Sequence, residues 1–201
     1  MLAGPVAIGG YAFDGCTALK SVQLGQCVSI GDKAFNGCTA ISAMLLPSTL
    51  ESIGYAAFSG TLIEALTIPA SCTNIAGGLY DAFDGANSLK QIAAASGGKY
   101  NSYSGVLYDD TTLFRVPYAY AGTSLPVKSG TTGIGSYCCK DVAAITSASL
   151  PDSIKTMQGN AFTKSAITAI TIALKEGSIS GAPWGATDAT VTWTGGGENN
   201  G

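Results

Sequence analysis

Ile8-Gly-Gly-Tyr-Ala12-Phe13-Asp-Gly-Cys16-Thr-Ala-Leu19-Lys-Ser-Val22-Gln-Leu24 is the stretch from which the fold is read, because its offsets return along the chain. From Ile30 come Ala34-Phe35, Cys38, Ile41, Met44, Leu46 and Pro47, and from Ile53 come Ala57-Phe58, Ile63, Leu66, Ile68 and Pro69 after a one-residue deletion. A fourth copy begins at Ile75, carries three extra residues before Ala82-Phe83, and continues through Ala86, Leu89 and Ile92. A fifth runs from Ile134, with Cys138-Cys139 in place of Ala-Phe, to Ile145, Ala148, Leu150 and Pro151. The sixth starts at Met157 and supplies Ala161-Phe162, Ile167, Ile170 and Ile172. Five of the six phenylalanines thus hold one repeat position, which marks a stacked architecture with a period of about 23 residues.

Each unit ends in an alternation such as Val22-x-Leu24, which turns two apolar side chains to one face of a short strand. The Ala-Phe pair falls on the other side of the coil, where a short helical or 3₁₀ turn can push the ring inward. A single unit cannot bury these side chains, whereas a stack buries them in a continuous core. Successive strands then lie about 4.8 Å apart as a parallel sheet along one wall. Cys16 and Cys38 share a repeat position and are expected to stack in the core as small hydrophobes, with a bridge between them geometrically conceivable. Cys138 and Cys139 are expected to point to opposite sides, Cys139 replacing the core phenylalanine.

The pattern Ile-Gly-x-x-Ala-Phe-x-Gly-Cys-x-x-Leu-x-x-Val-x-Leu-Pro resembles the BspA-type leucine-rich repeat of bacterial surface proteins, over about residues 8 to 172. The resemblance implies an α/β, β-rich fold: a curved, right-handed leucine-rich-repeat solenoid without enzymatic activity, displayed at the cell surface or secreted.

Between Phe83 and Cys139 the spacing is 56 residues, against 22 to 25 elsewhere, so extra chain is present. Two β-prone runs around Asp109-Asp110-Thr111-Thr112 predict a β-hairpin within 99–120, and Leu125 and Val127 keep the spacing of another rung. The hairpin resembles the Gly-Val-Leu-Tyr insertion of the same family. The domain reading is therefore a solenoid of about seven rungs over 1–182, a C-terminal cap strand over 183–194 built from Trp184, Val191 and Trp193, and a glycine-rich flexible tail over 195–201. Counting back from Ile8 places the strand before the first Ala-Phe turn at Met1 and Leu2, an expectation that the chain is a fragment or module of something longer.

Composition narrows the chemistry. The 201 residues contain no histidine, which removes Ser-His-Asp triads, Cys-His dyads and histidine-ligated metals. Ten Lys plus Arg against thirteen Asp plus Glu are scattered, so nucleic acid is not an expected partner. No apolar run approaches the roughly 20 residues of a membrane span, and the start lacks the basic and apolar regions of a signal peptide. The six cysteines form no Cys-x-x-Cys pair, the acidic pairs Asp109-Asp110 and Asp81/Asp84 sit on a turn and beside a repeat phenylalanine, and no cofactor is implied.

Binding then falls to surfaces. On the strand wall the candidates are Lys20, Gln23, Leu45, Glu64, Thr67, Lys90 and Gln91, on a face that is small, polar and nearly uncharged. Five of nine tyrosines lie in the hairpin region: Tyr100, Tyr103, Tyr108, Tyr118 and Tyr120 either present an aromatic platform or cover the solenoid edge. The expected partner is a protein or glycan, and the expected role an adhesion or recognition module. The alternatives are a structural or receptor-recognition part of a phage tail, suggested by the missing export signal and the tryptophan-bearing ending, and a hydrolase on a repeat scaffold.

Overall fold

A computed structural model describes residues 5–196. The expected strand at Met1 and Leu2 and most of the glycine-rich tail lie outside the described residues. The chain forms a β-solenoid of about nine turns, against the seven rungs expected.

Two sets of parallel ladders build it, where the sequence predicts one. The first comes from the segment that opens each repeat. Here β1 (Val6–Ile8), β2 (Cys27–Ile30), β3 (Ser52–Ile53) and β5 (Asn74–Ile75) pair in parallel, with Ile8, Ile30, Ile53 and Ile75 in register. The same side resumes with β9 (Thr112–Arg115), β10 (Gly133–Ile134) and β12 (Thr156–Met157). The second wall is the expected one. It joins β4 (Ala65–Ile68) to β6 (Gln91–Ala94), and β11 (Ser147–Leu150) to β13 (Ala169–Ile172) and β14 (Thr190–Trp193). Residues 19–24 and 41–46 carry the same alternation but are not strands, although Leu24 and Leu46 are buried there.

The helical component is a correction. Among the described residues the sole helical element is a 3₁₀ turn at Gly78–Tyr80, made by the three extra residues of the fourth repeat. The Ala-Phe corners are instead tight turns held open by positive φ. Tyr11, Lys33, Ala56 and Tyr137 adopt it just before the pair, and Gly15, Gly37, Gly60 and Gly85 adopt it two residues after the phenylalanine. A helix cannot propagate through such residues, and glycine is the residue that takes this conformation without steric cost. The glycine after Ile30 and Ile53 has a different cause: a Cβ on Gly31 would stand 2.5 Å from the backbone nitrogen of Gly10, and one on Gly54 2.6 Å from that of Asp32. Adjacent coils touch main chain to main chain at that point.

The corner stacks rings. Phe13 and Phe35 are parallel with centroids 5.2 Å apart, Phe35 and Phe58 follow at 6.4 Å, and Phe58 and Phe83 at 6.3 Å. Each fully buried ring contributes roughly 2 to 3 kcal/mol from apolar burial alone.

The column then stops. The Val116 amide donates to the Cys138 carbonyl, the bond that Phe13 and Phe35 make to Ala34 and Ala57, so Val116 holds the phenylalanine position of its coil. Cys139, bonded likewise to Ala161, holds the next. The buried side chains accordingly form two clusters, one from Leu24 to Leu107 and one from Val106 to Ala186. Cys138 and Cys139 do not point to opposite sides: both are buried and their Sγ atoms lie 3.7 Å apart. Strand alternation does not apply at a corner flanked by left-handed residues. Cys16, in the first described coil, is exposed and not stacked in the core.

Residues 100–115 run as three antiparallel strands: β7 (Tyr100–Tyr103) against β8 (Val106–Asp109), and β8 against β9. Since Thr112 and Leu113 also pair in parallel with Gly133 and Ile134, this unit is a section of the coil and not an appendage between coils. The segment expected as a cap adds one more rung, with Val191 opposite Ile170 and Trp193 opposite Ile172. Trp184 is buried, its indole N–H donating to the Ser180 carbonyl at 2.8 Å and its ring edge-on to Trp193.

Candidate functional site

Three surfaces carry side chains that the core does not consume. The second wall displays Lys20, Gln23, Leu45, Glu64, Thr67, Lys90 and Gln91, all exposed. Period-two alternation puts them there: Leu66, Ile68 and Ile92 turn inward, so their neighbours turn outward. Lys90 and Glu64, each just before one of the paired strands β6 and β4, form an ion pair at 2.7 Å, open to water on both sides and therefore a weak contributor. Leu45 is 85% exposed and stands between two shallow clefts. Met44, Ala65, Pro69 and Ala95 line one, and Val22, Leu24 and Pro47 line the other, without a charged group in either.

The five tyrosines of 100–120 do not form a common platform. Tyr100 and Tyr108 are buried. The Tyr100 hydroxyl accepts from the Ile75 amide at 3.0 Å, while the Tyr108 hydroxyl donates to the Pro126 carbonyl and accepts from the Lys128 amide. Tyr118 and Tyr120 are half-buried, which leaves Tyr103 as the exposed member. A buried phenol needs a partner for its hydroxyl, and main-chain groups of the adjoining coils supply it.

The third group is a polar cluster at the seam between the two cores. Arg115 and Asp81 are both buried and approach to 3.6 Å. The guanidinium donates to the carbonyls of Tyr137 at 2.8 Å and Lys140 at 3.2 Å, and its carbon lies 4.2 Å from the Tyr118 ring centroid. Asp81 Oδ1 accepts the Phe83 amide at 2.7 Å, whereas Asp81 Oδ2 and Arg115 Nε have no hydrogen-bond partner. Burial pushes the Asp81 carboxyl above its ordinary range, against the pull of Arg115. Beside it, Asp84 collects the Tyr118 hydroxyl at 2.6 Å, Lys140 Nζ at 2.8 Å and the Tyr55 hydroxyl at 3.3 Å. Burial raises the Asp84 carboxyl, but these donors together outweigh it and hold it below its ordinary value.

The sequence reading set Asp81 and Asp84 aside as a carboxylate pair and gave Arg115 no role. The missing phenylalanine in the fifth copy was the available signal, because a vacated ring position must be filled. The arrangement is a structural clamp. The two terminal nitrogens of the guanidinium are directed at main-chain carbonyls, one of them also facing Asp81, and Asp84 is engaged on both oxygens. Among the described residues no group of three or more His, Cys, Asp or Glu side chains is placed to hold a metal ion, and no helix is long and apolar enough to cross a membrane.

The coil geometry, with an isoleucine ladder, a Val-x-Leu ladder and a ring-bearing corner, defines a leucine-rich-repeat solenoid. The chain belongs to the BspA type leucine rich repeat family, whose pattern matches six copies over residues 6–109 and 118–181. No curated protein sequence matches it. Its fold is similar to a leucine rich cell surface protein from Faecalibacterium prausnitzii, with a TM-score of 0.64 and 19% identity. Leucine-rich repeat proteins from Eubacterium ventriosum and Bacteroides ovatus are similar at TM-scores of 0.65 and 0.62, with 21% and 20% identity. The alignments cover 94%, 95% and 93% of this chain but 63%, 54% and 52% of those three, so the chain spans between half and two thirds of their length.

Proposed function

We propose that this chain is a non-enzymatic interaction module of a bacterial cell-surface or secreted leucine-rich-repeat protein, which engages a protein partner through the second wall around Leu45. The observation that carries the reading is a side chain of Leu45's size left 85% exposed between two uncharged clefts on a rigid, repeating face. Exposed apolar centres with polar surrounds mark interaction sites, and repeat solenoids bind along extended faces. The charged and amide residues around it, Lys20, Gln23, Glu64, Lys90 and Gln91, supply the polar rim that sets register more than affinity. Few aromatic or arginine anchors are present, so single-site binding is weak and tightens by multivalent display. The surface location rests on family membership and on the likeness to a cell surface protein.

The test is a binding screen of the purified chain against immobilised host matrix proteins, with Leu45→Asp and a Lys20, Gln23, Glu64, Lys90 quadruple alanine variant alongside. Saturable binding lost in Leu45→Asp and weakened in the quadruple variant supports the wall. Binding that both variants retain would remove it.

A further inference from the structure

We propose that Tyr11, Tyr55 and Tyr80 form a carbohydrate-binding face, on the corner side of the first four coils, that takes an extended neutral polysaccharide laid across the rungs. Tyr11 is 57% and Tyr80 65% exposed, among the largest exposed hydrophobic residues of the chain. Lys33 sits between the first two rings, its Nζ 5.7 Å from the Tyr11 centroid and 5.6 Å from that of Tyr55. Tyr80 closes the row edge-on to Tyr55 at 5.5 Å. Tyr55 is fixed in turn through its hydroxyl to Asp84.

The fourth coil points to a purpose. Its three-residue insertion forms the Gly78–Tyr80 turn, none of whose residues is buried, so it adds nothing to the core. What it achieves is to hold Leu79 and Tyr80 outward, the former 47% exposed, beside the ring of Tyr55. Keeping two large apolar side chains in water on a dedicated insertion fits a binding surface better than a packing requirement.

The chemistry selects the occupant. Pyranose rings offer C–H faces to aromatic side chains and hydroxyls to planar acceptors and donors at their edge. The row has such groups beside it: the exposed Asp32, whose Oδ1 accepts the Tyr55 amide at 2.8 Å, and the Asp14 and Asn36 pair, bonded at 2.7 Å. Tyr11 and Tyr55 stand two coils apart, about 9.6 Å at the pitch of a parallel ladder, which matches the disaccharide repeat of an extended β-1,4-linked glycan. The cation of Lys33 is already occupied by two rings, and the carboxylates alongside offset it, so neither a polyanion nor an anionic membrane is favoured.

The experiment is isothermal titration of the full chain with cellohexaose, chitohexaose and mannohexaose, using wild type, a Tyr11→Ala/Tyr80→Ala double variant and the quadruple wall variant. The expected result is saturable binding of at least one probe, weakened by on the order of tenfold or more in the double variant and kept within about twofold in the wall variant. Because both tyrosines are exposed, the double variant should melt with wild type, and circular dichroism checks this. Silence with all three probes, or equal affinity in a folded double variant, overturns the proposal. Loss in the wall variant instead would move the glycan to the wall, while loss of host-protein binding through Leu45→Asp leaves this face untouched. The two readings thus fail separately.

Discussion

The first four coils and the last four solve the same packing problem in different ways. The first set repeats one answer, a phenylalanine at the corner and a glycine two residues on, so that Phe13, Phe35, Phe58 and Phe83 form a single column. In the second set Val116, Cys139 and Phe162 take the ring position in turn, and Asp141 and Lys164 stand at positive φ where the earlier coils have glycine. Between them lies the clamp of Asp81, Arg115, Asp84 and Lys140. Where the unit is copied faithfully, stability is a sum of like interfaces. Where it is not, the volume of a lost ring is taken up by side chains that must also satisfy their own charges.

The clamp offers the sharpest way to break this contrast. Arg115→Ala leaves the Asp81 carboxylate buried without its partner and is expected to cost about 3 to 5 kcal/mol in urea unfolding. Replacing both residues together, Asp81→Leu with Arg115→Met, should restore part of that loss, since an apolar pair avoids burying charge while the Phe83 amide and the Tyr137 and Lys140 carbonyls lose their side-chain partners. A double variant as unstable as Arg115→Ala would show that the charges themselves are required. Next comes the column. Phe58→Ala, with a ring on each side, should cost about 3 to 5 kcal/mol, whereas Val116→Ala at the equivalent corner should cost about 2 kcal/mol or less. Equal losses would erase the distinction between the halves.

The acid limb of the stability curve tests the two carboxylates against each other, because their shifts have opposite signs. Asp84 is held below its ordinary value of 3.8, so it stabilises the fold above that pH and the contribution fades as pH falls through its lowered folded value. Asp81 is raised above 3.8, so its ionisation opposes folding; the penalty is complete above the raised value and disappears on acidification towards 3.8. Urea midpoints taken from pH 7 downward should show Asp84→Asn losing its disadvantage relative to wild type in acid. Asp81→Asn, by contrast, should gain least at low pH. The smallest effect is expected at the imperfect corners, where Lys164→Gly relieves positive φ and should raise stability by about 1 kcal/mol, or about 2 to 4 °C in melting temperature.

These contrasts also mark what the sequence could disclose. The Val-x-Leu alternation and the recurring Ala-Phe gave the stack, the inward face and the exposed residues of one wall, because period two and period 23 are both written in side-chain polarity. The isoleucine ladder was less visible. Its strands are as short as two residues, Ser52–Ile53 or Gly133–Ile134, and so brief a run shows no alternation. Ala and Phe at the corners are compatible with a helix, and nothing in those residue types signals the positive φ that Tyr11, Lys33 and Tyr137 adopt beside them. The tyrosine row escaped notice for a related reason. Tyr11, Tyr55 and Tyr80 lie 44 and 25 residues apart, and an insertion had to be folded before Tyr80 could meet Tyr55.

The parallel ladders have a mechanical consequence. In both walls the N–H···O bonds join one coil to the next, so a pull along the stacking direction loads the interfaces in series and the weakest yields first. The four-phenylalanine column is expected to act as the stiff segment of such a spring. The seam between Phe83 and Val116, where one core gives way to the other and Arg115 reaches across to Asp81, is its compliant link, and single-molecule extension should show the first length step there.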